Sequence, residues 1–117
     1  MVSNRSKHKI EVERLPGSDT ASRFDGHEHG VGVSFFLSRN APGTGPDLHR
    51  HPYEETFIVQ GGRVRFIVGE ETVEAGAGEI VVVPPGTPHK FISLGPGRLL
   101  QISIHPVARM ETDWLEG

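Results

Sequence analysis

Apolar positions along the chain fall in short runs with a period near two, interrupted at roughly six- to twelve-residue intervals by Gly, Pro or Asn. Ile10–Leu15 alternates apolar with charged side chains and predicts a strand, which Pro16-Gly17 ends. Residues 16–30 carry little periodicity and read as a long loop or lid. Val31–Leu37 predicts a strand, and the stretch from Asn40 to Asp47 a turn-rich connection. Leu48–His51 reads as a short extended piece. Glu55–Val59 and Val64–Val68 flank Gly61-Gly62, a hairpin signal because both turn positions tolerate positive φ. Gly69-Glu70 makes a second tight turn into Thr72–Glu74. Ile80–Val83 is an unbroken β-branched run, read as a buried strand stopped by Pro84-Pro85-Gly86. His89–Leu94 and Leu99–His105, with Gly95-Pro96-Gly97 between them, complete the series. Met110–Leu115 is either a short helix or a terminal extended arm.

Evenly spaced short strands of this kind predict an all-β sandwich or barrel. With 117 residues and no tandem repeat, one domain over 1–117 is expected: a barrel core at about 31–105, an N-terminal strand or arm at 1–30 and a C-terminal arm at 106–117. Composition removes the main competitor. The 15 glycines and 9 prolines are hard to place in long helices, where each interior Gly costs about 1 kcal/mol and each Pro about 3. A helical bundle is excluded.

Charge and cysteine content narrow the partners. A net charge of −3 argues against nucleic acid, which calls for a basic face. No apolar stretch approaches the ~18 residues of a membrane span, so no membrane partner is expected. The absence of cysteine excludes disulfides, thiolate metal sites and cysteine nucleophiles. The opening residues 1–9 are polar and lack the apolar core of a signal peptide, and the cytoplasm is the expected location.

Seven histidines are the compositional oddity. His49 and His51 stand two apart, so their rings share one face of an extended chain. Glu55 opens the next strand with Phe57 and Val59 on its parity, while Glu54 has the opposite parity. A second cluster, Gly78 to His89, ends a strand in a Pro-Gly turn that delivers His89. Unpaired, such groups cost a few kcal/mol each to bury. One divalent cation satisfies three imidazoles and a carboxylate together.

The two clusters resemble the cupin superfamily, in particular its small single-domain bacterial members. The first carries that family's pattern at Gly43, His49, His51, Glu55 and Gly62, and the second at Gly78, Pro84, Gly86 and His89. The family's usual closing Asn is replaced here by Ser93. The resemblance runs from about Ser34 to Ile104. It implies a jelly-roll β-barrel of six to eight strands holding one metal ion in its mouth, with His49, His51, Glu55 and His89 as ligands. The family spacing and strand parity both favour Glu55 over Glu54.

Such a ligand set suits Fe, Mn, Ni, Co or Zn. An octahedral ion would keep two positions open for a small-molecule ligand or substrate. The reading favoured is a metal-dependent enzyme acting on a small oxygen-containing molecule, with dioxygenase chemistry ahead of isomerisation or decarboxylation. The alternative is a non-catalytic small-molecule binding or sensing barrel. Candidates for proton transfer are His105, Tyr53 and a water held by Gln101. The parity of Gln101, Ser103 and His105 leaves that polar row free to line the pocket or to face solvent. His27-Glu28-His29 resembles a second metal pair but has no third partner in sequence. Arg63 and Arg65 read as solvated strand-face charges, and Phe35, Phe57, Phe66 and Phe91 as core or pocket wall. A homodimer is expected, with Ile10–Leu15 or the Trp114-Leu115 arm crossing to the partner.

Overall fold

Along Leu99–His105, Leu99, Gln101, Ser103 and His105 are buried while Leu100 is exposed. That strand belongs to one of two five-stranded antiparallel sheets in the computed structural model, which describes residues 7–116. In chain order the strands are β1 (Ala21–Phe24), β2 (Ser34–Asn40), β3 (His49–Arg50), β4 (Glu55–Gly61), β5 (Arg63–Val68), β6 (Glu71–Gly76), β7 (Ile80–Val83), β8 (His89–Ser93), β9 (Leu99–His105) and β10 (Asp113–Trp114). One sheet runs β1-β2-β9-β4-β7 and the other β10-β3-β8-β5-β6. The result is a jelly-roll barrel, as expected, with ten strands among the described residues in place of the six to eight that the resemblance implies.

Between the sheets Phe57, Val59, Val64, Phe66, Ala75, Val81, Val83 and Leu99 form one buried cluster. Phe57 from one sheet meets Phe66 from the other edge-on, with ring centroids 4.8 Å apart. Burying a side chain of this size contributes about 1.5–3 kcal/mol, so this half of the interior supplies the hydrophobic drive.

Several sequence expectations shift. Ile10–Leu15 is not a strand but an exposed segment with one 3-10 turn at Val12–Arg14, since no neighbouring strand offers it a ladder. Residues 16–30 are not wholly loop: Ala21–Phe24 pairs with β2, aligning Phe24 with Phe35. The strand expected at Val31–Leu37 starts at Ser34 and ends at Asn40, because its antiparallel partner β9 runs from Leu99, opposite Asn40, to His105, opposite Ser34. Val31 and Val33 lie outside it, exposed.

Gly61-Gly62 does not close a hairpin. β4 pairs with β7 and β9, β5 with β6 and β8, so the chain turns a corner here from one sheet to the other. Gly62 has φ +81°, and a Cβ there would lie 2.7 Å from the Arg98 carbonyl oxygen, so the corner admits only glycine. The Gly69-Glu70 turn does close a hairpin, between β5 and β6. Ile80–Val83 is half-buried: Val81 and Val83 face in, while Ile80 and Val82 are exposed. Met110–Leu115 is extended, not helical, and docks by β10 pairing with β3.

Candidate metal centre

The strand register places the histidines opposite one another. His49 on β3 is aligned with His89 on β8, and Glu55 starts β4 on the facing sheet. His51 follows β3 in the short link before β4, and its carbonyl accepts a hydrogen bond from Gly86 N–H at 2.7 Å. Gly86, with φ +72°, makes the Pro-Gly turn that leads β8 back into the site. The two sequence clusters are thereby tied together by backbone.

His49, His51, Glu55 and His89 are all buried and each offers a donor atom within 4.8 Å of the others. Their hydrogen bonds orient them alike. His49 Nδ1 lies 2.7 Å from the Asp47 carbonyl, His51 Nδ1 2.8 Å from that of Glu111 and His89 Nδ1 2.8 Å from that of Thr87. Carbonyls only accept, so each Nδ1 carries a proton; a neutral ring then turns a lone pair on Nε2 to the interior, whereas a charged ring donates from Nε2, as in the 3.0 Å hydrogen bond between His89 Nε2 and Glu55 Oε1. His51 Nε2 and His89 Nε2 stand 2.9 and 3.0 Å from Glu55 Oε1. For two neutral imidazoles these would be lone pairs aimed at an anion. His51 Nε2 is fully buried and makes no aligned hydrogen bond. A cation among these atoms would remove the conflict, and the donor set fits a divalent ion.

Burial lowers the pKa of His49, as expected for an imidazole withdrawn from water. Burial also works against charge on His51, but the Glu55 carboxylate outweighs it and raises that pKa. For Glu55 burial alone would raise the pKa; contacts from His105, His51 and His89 instead hold it far below the usual carboxylate range.

His105 resolves in favour of the interior. It is 2% exposed, its Nε2 lies 3.1 Å from Glu55 Oε2, and Tyr53 Oη stands 2.7 Å from its Nδ1. The polar row of β9 faces inward because the apolar row, Leu100, Ile102 and Ile104, lies on the opposite, outer face of the sheet. Gln101 is buried with both amide atoms unpaired, and Ser93, where the family pattern has Asn, buries an unpaired hydroxyl. Glu54 is exposed. His27 and Glu28 sit in a 3-10 turn, and His29 stacks on Phe24 at 4.4 Å; none of them joins a metal-type cluster among the described residues. Arg63 and Arg65 pair with Glu74 on the surface.

A cavity of about 360 Å³ opens onto the cluster. Phe36, Phe57, Phe91 and Trp114 line it, with Ser38 and Asn40 as neutral polar groups. Two of its features escaped the sequence reading. Trp114, taken there as part of a spare arm, lies 4.9 Å from the His49 ring. Glu111 contributes through its backbone, which no side-chain pattern reports.

Comparison with known proteins agrees with this geometry. A family model for the cupin domain matches residues 36–105. The uncharacterized protein MJ1618 of Methanocaldococcus jannaschii is 33% identical over 72 residues, which are 59% of this chain and 58% of that protein. The uncharacterized protein SCO3923 of Streptomyces coelicolor is 39% identical over 49 residues, 42% of this chain and 47% of that one. The matches thus span about half the length of these curated relatives. Among solved structures, the oxalate decarboxylase of Bacillus subtilis superposes with a TM-score of 0.78 at 23% identity, covering 88% of this chain and 30% of that one. That structure concerns the enzyme's Mn(II) centres. The oxalate decarboxylase of Lactobacillus farciminis, in complex with formate, gives 0.77 at 20% identity over 87% of this chain and 33% of that one.

Proposed function

Since the chain belongs to the cupin family, matched over residues 36–105, we propose that it is a mononuclear metal-dependent enzyme acting on a small oxygen-containing molecule. In this reading His49, His51, Glu55 and His89 are the ligands. The observation that carries it is the shared orientation of three buried imidazoles, each with its Nδ1–H given to a carbonyl, with the Nε2 atoms of His51 and His89 within 3.0 Å of Glu55 Oε1. Among Fe, Mn, Ni, Co and Zn we favour Mn(II), which the similar Bacillus subtilis enzyme holds. Bound there, the ion supplies Lewis acidity and open positions for oxygen donors.

The cavity lining defines the substrate class. Among the described residues no Lys or Arg lines it, and Glu55 is its only carboxylate. A second anionic group on a ligand would find no side-chain cation there. This favours a molecule with one metal-binding oxygen function, a carboxylate, enolate or diol, and an uncharged body between Phe36, Phe57 and Phe91. Small dianions such as oxalate fit less well. Dioxygenase-type chemistry remains the favoured reaction on this lining. Decarboxylation of a monoacid is the second reading, supported by the fold likeness to the two decarboxylases. The buried Tyr53–His105 pair beside Glu55 favours catalysis over mere binding, because it offers a proton-transfer group at the site.

A homodimer belongs to the same proposal, by a different surface from the one the sequence suggests. The Trp114 arm lies on its own barrel, whereas Ile80, Val82 and Leu100 leave an exposed apolar patch on the outer face of the β7-containing sheet. A two-fold pairing would cover it. We place the protein in the cytoplasm, where a cysteine-free chain needs no oxidising compartment. The decisive experiment is elemental analysis of purified protein followed by titration of the stripped form with Mn(II), Fe(II) and Zn(II). One ion per chain is expected; no stoichiometric metal and no uptake would overturn the reading. Light scattering should give a dimeric mass, and a monomer at tens of micromolar would refute the assembly.

A further inference from the structure

The C-terminal arm touches the site at His51 and at Tyr53. Two of the three candidate ligand histidines are oriented locally: His49 by the carbonyl of Asp47 and His89 by that of Thr87, each two residues upstream. His51 is different. Its Nδ1–H is held by the carbonyl of Glu111, sixty residues along the chain, with Thr112 Oγ1 also at 3.3 Å. The same residue's N–H donates to Tyr53 Oη at 3.2 Å. The Tyr53 hydroxyl also stands 3.4 Å from the Glu111 carbonyl and 2.7 Å from His105 Nδ1. His105 Nε2 lies 3.1 Å from Glu55 Oε2 and, like His51 Nε2, is buried without an aligned hydrogen bond.

The two carboxylate oxygens therefore have separate neighbours. Oε1 faces His51 and His89, and Oε2 faces His105. One backbone residue of the arm, Glu111, holds a ligand imidazole with its carbonyl and, with its N–H, the Tyr53 hydroxyl that bonds His105, whose ring packs beside the ligand carboxylate. The rest of the arm is fastened to the strand that carries His49. β10 pairs with β3, Trp114 packs on the His49 ring at 4.9 Å, and Leu115 N–H bonds the Leu48 carbonyl at 2.9 Å.

We infer that the arm over residues 106–116 is a built-in part of the metal site, with Tyr53 and His105 as positioning residues, so that arm docking and metal binding reinforce each other. The inference rests on the metal reading above. Coupling of this kind is reciprocal: an arm that favours the loaded site must itself be held more tightly once metal is bound. Partners that orient metal ligands typically account for about 10–100-fold in affinity.

The test uses the full chain, stripped and loaded with Mn(II). Hydrogen exchange in the peptide spanning 106–116 should slow by about tenfold or more on loading, while the β5–β6 hairpin stays unchanged; equal exchange of the arm in both forms would overturn the inference. Tyr53→Phe and Trp114→Ala should each weaken Mn(II) binding by about tenfold, and unaltered affinity in both would also overturn it. Nitrogen-15 spectra of the stripped protein at high pH supply a readout that needs no metal. Neutral His51 should carry its proton on Nδ1 in the wild type and lose that preference in Trp114→Ala, while His89 keeps its own. A His51 tautomer indifferent to the arm sinks the proposal, even if the wild type takes up no Mn(II) and the metal reading fails by itself.

Discussion

Strand β4 passes through two regions that share one inward face and obey opposite rules. At its start Glu55 lies among imidazoles; two and four residues on, Phe57 and Val59 enter the apolar cluster. β9 makes the same passage in reverse, from Leu99 in the apolar half to His105 beside Glu55. The apolar half holds the sheets together without any partner from solution. In the polar half each buried group left unpaired costs about 1–3 kcal/mol, and only mutual contacts or a bound cation offset that. Stability and chemistry are thus drawn from different ends of the same strands, and the apolar end carries the cost of the polar one.

The strongest way to break this comparison is to damage the apolar end. Phe66 is fully buried against Phe57, and Phe66→Ala should cost about 3–5 kcal/mol. Urea unfolding should show nearly the same loss with and without metal. A loss that metal rescues would mean the two regions are not independent.

Glu55→Gln tests the other end. It keeps shape but removes the negative charge that faces His51, His89 and His105. A ligand at about a hundred times its dissociation constant stabilises the native state by about 2.7 kcal/mol, and that gain should vanish in the variant. The stripped variant should keep the same circular dichroism. A variant midpoint that still rises with Mn(II) as in wild type would assign metal binding to the histidines alone.

How far each region could be read from sequence follows from the same contrast. The ligand candidates stand at side-chain positions with fixed spacing, so His49, His51, Glu55 and His89 were legible before any coordinates, and the structure brings them together. Strand parity placed Glu54 outside, where it is. The role of His105 was undecidable, because its strand carries polar side chains inward and Leu100, Ile102 and Ile104 outward, reversing the usual pattern. Gly61-Gly62 reads as a hairpin locally, and only the pairing of β5 with β6 and β8 turns it into a corner. Glu111 acts through its peptide group, which leaves no mark in the sequence.

Acid should separate the regions more gently. The Glu55 carboxyl, despite the burial that opposes ionisation, is held by His105, His51 and His89 well below its unfolded value of about 4.3. A depressed folded pKa stabilises above the unfolded pKa, and that contribution is lost as pH falls. Below about pH 4 this one residue should therefore contribute a slope of up to roughly 1.4 kcal/mol per pH unit to the unfolding free energy of the stripped protein. Glu55→Gln should show a correspondingly shallower acid limb in a pH series of urea melts. Parallel limbs would mean the carboxylate is not held by its neighbours in solution.

The smallest expected effect is the sharpest control. Glu54→Gln removes the same charge one residue away, from an exposed side chain on the outward parity of the chain. If the metal responds only to charge nearby, the two variants should behave alike; if it needs a ligand atom, they should not. At a separation of about 10 Å in water, a carboxylate and a divalent ion interact by only about 0.8 kcal/mol before salt screening. The screening length of ~8 Å at physiological salt reduces this several-fold. Surface changes of this type usually shift stability by less than about 0.5 kcal/mol. Glu54→Gln should therefore unfold like the wild type when stripped and should gain the full metal-induced rise in melting temperature. If it loses that rise while Glu55→Gln keeps it, the carboxylate assignment moves to Glu54, and with it the claim that β4 turns its first inward position toward the metal.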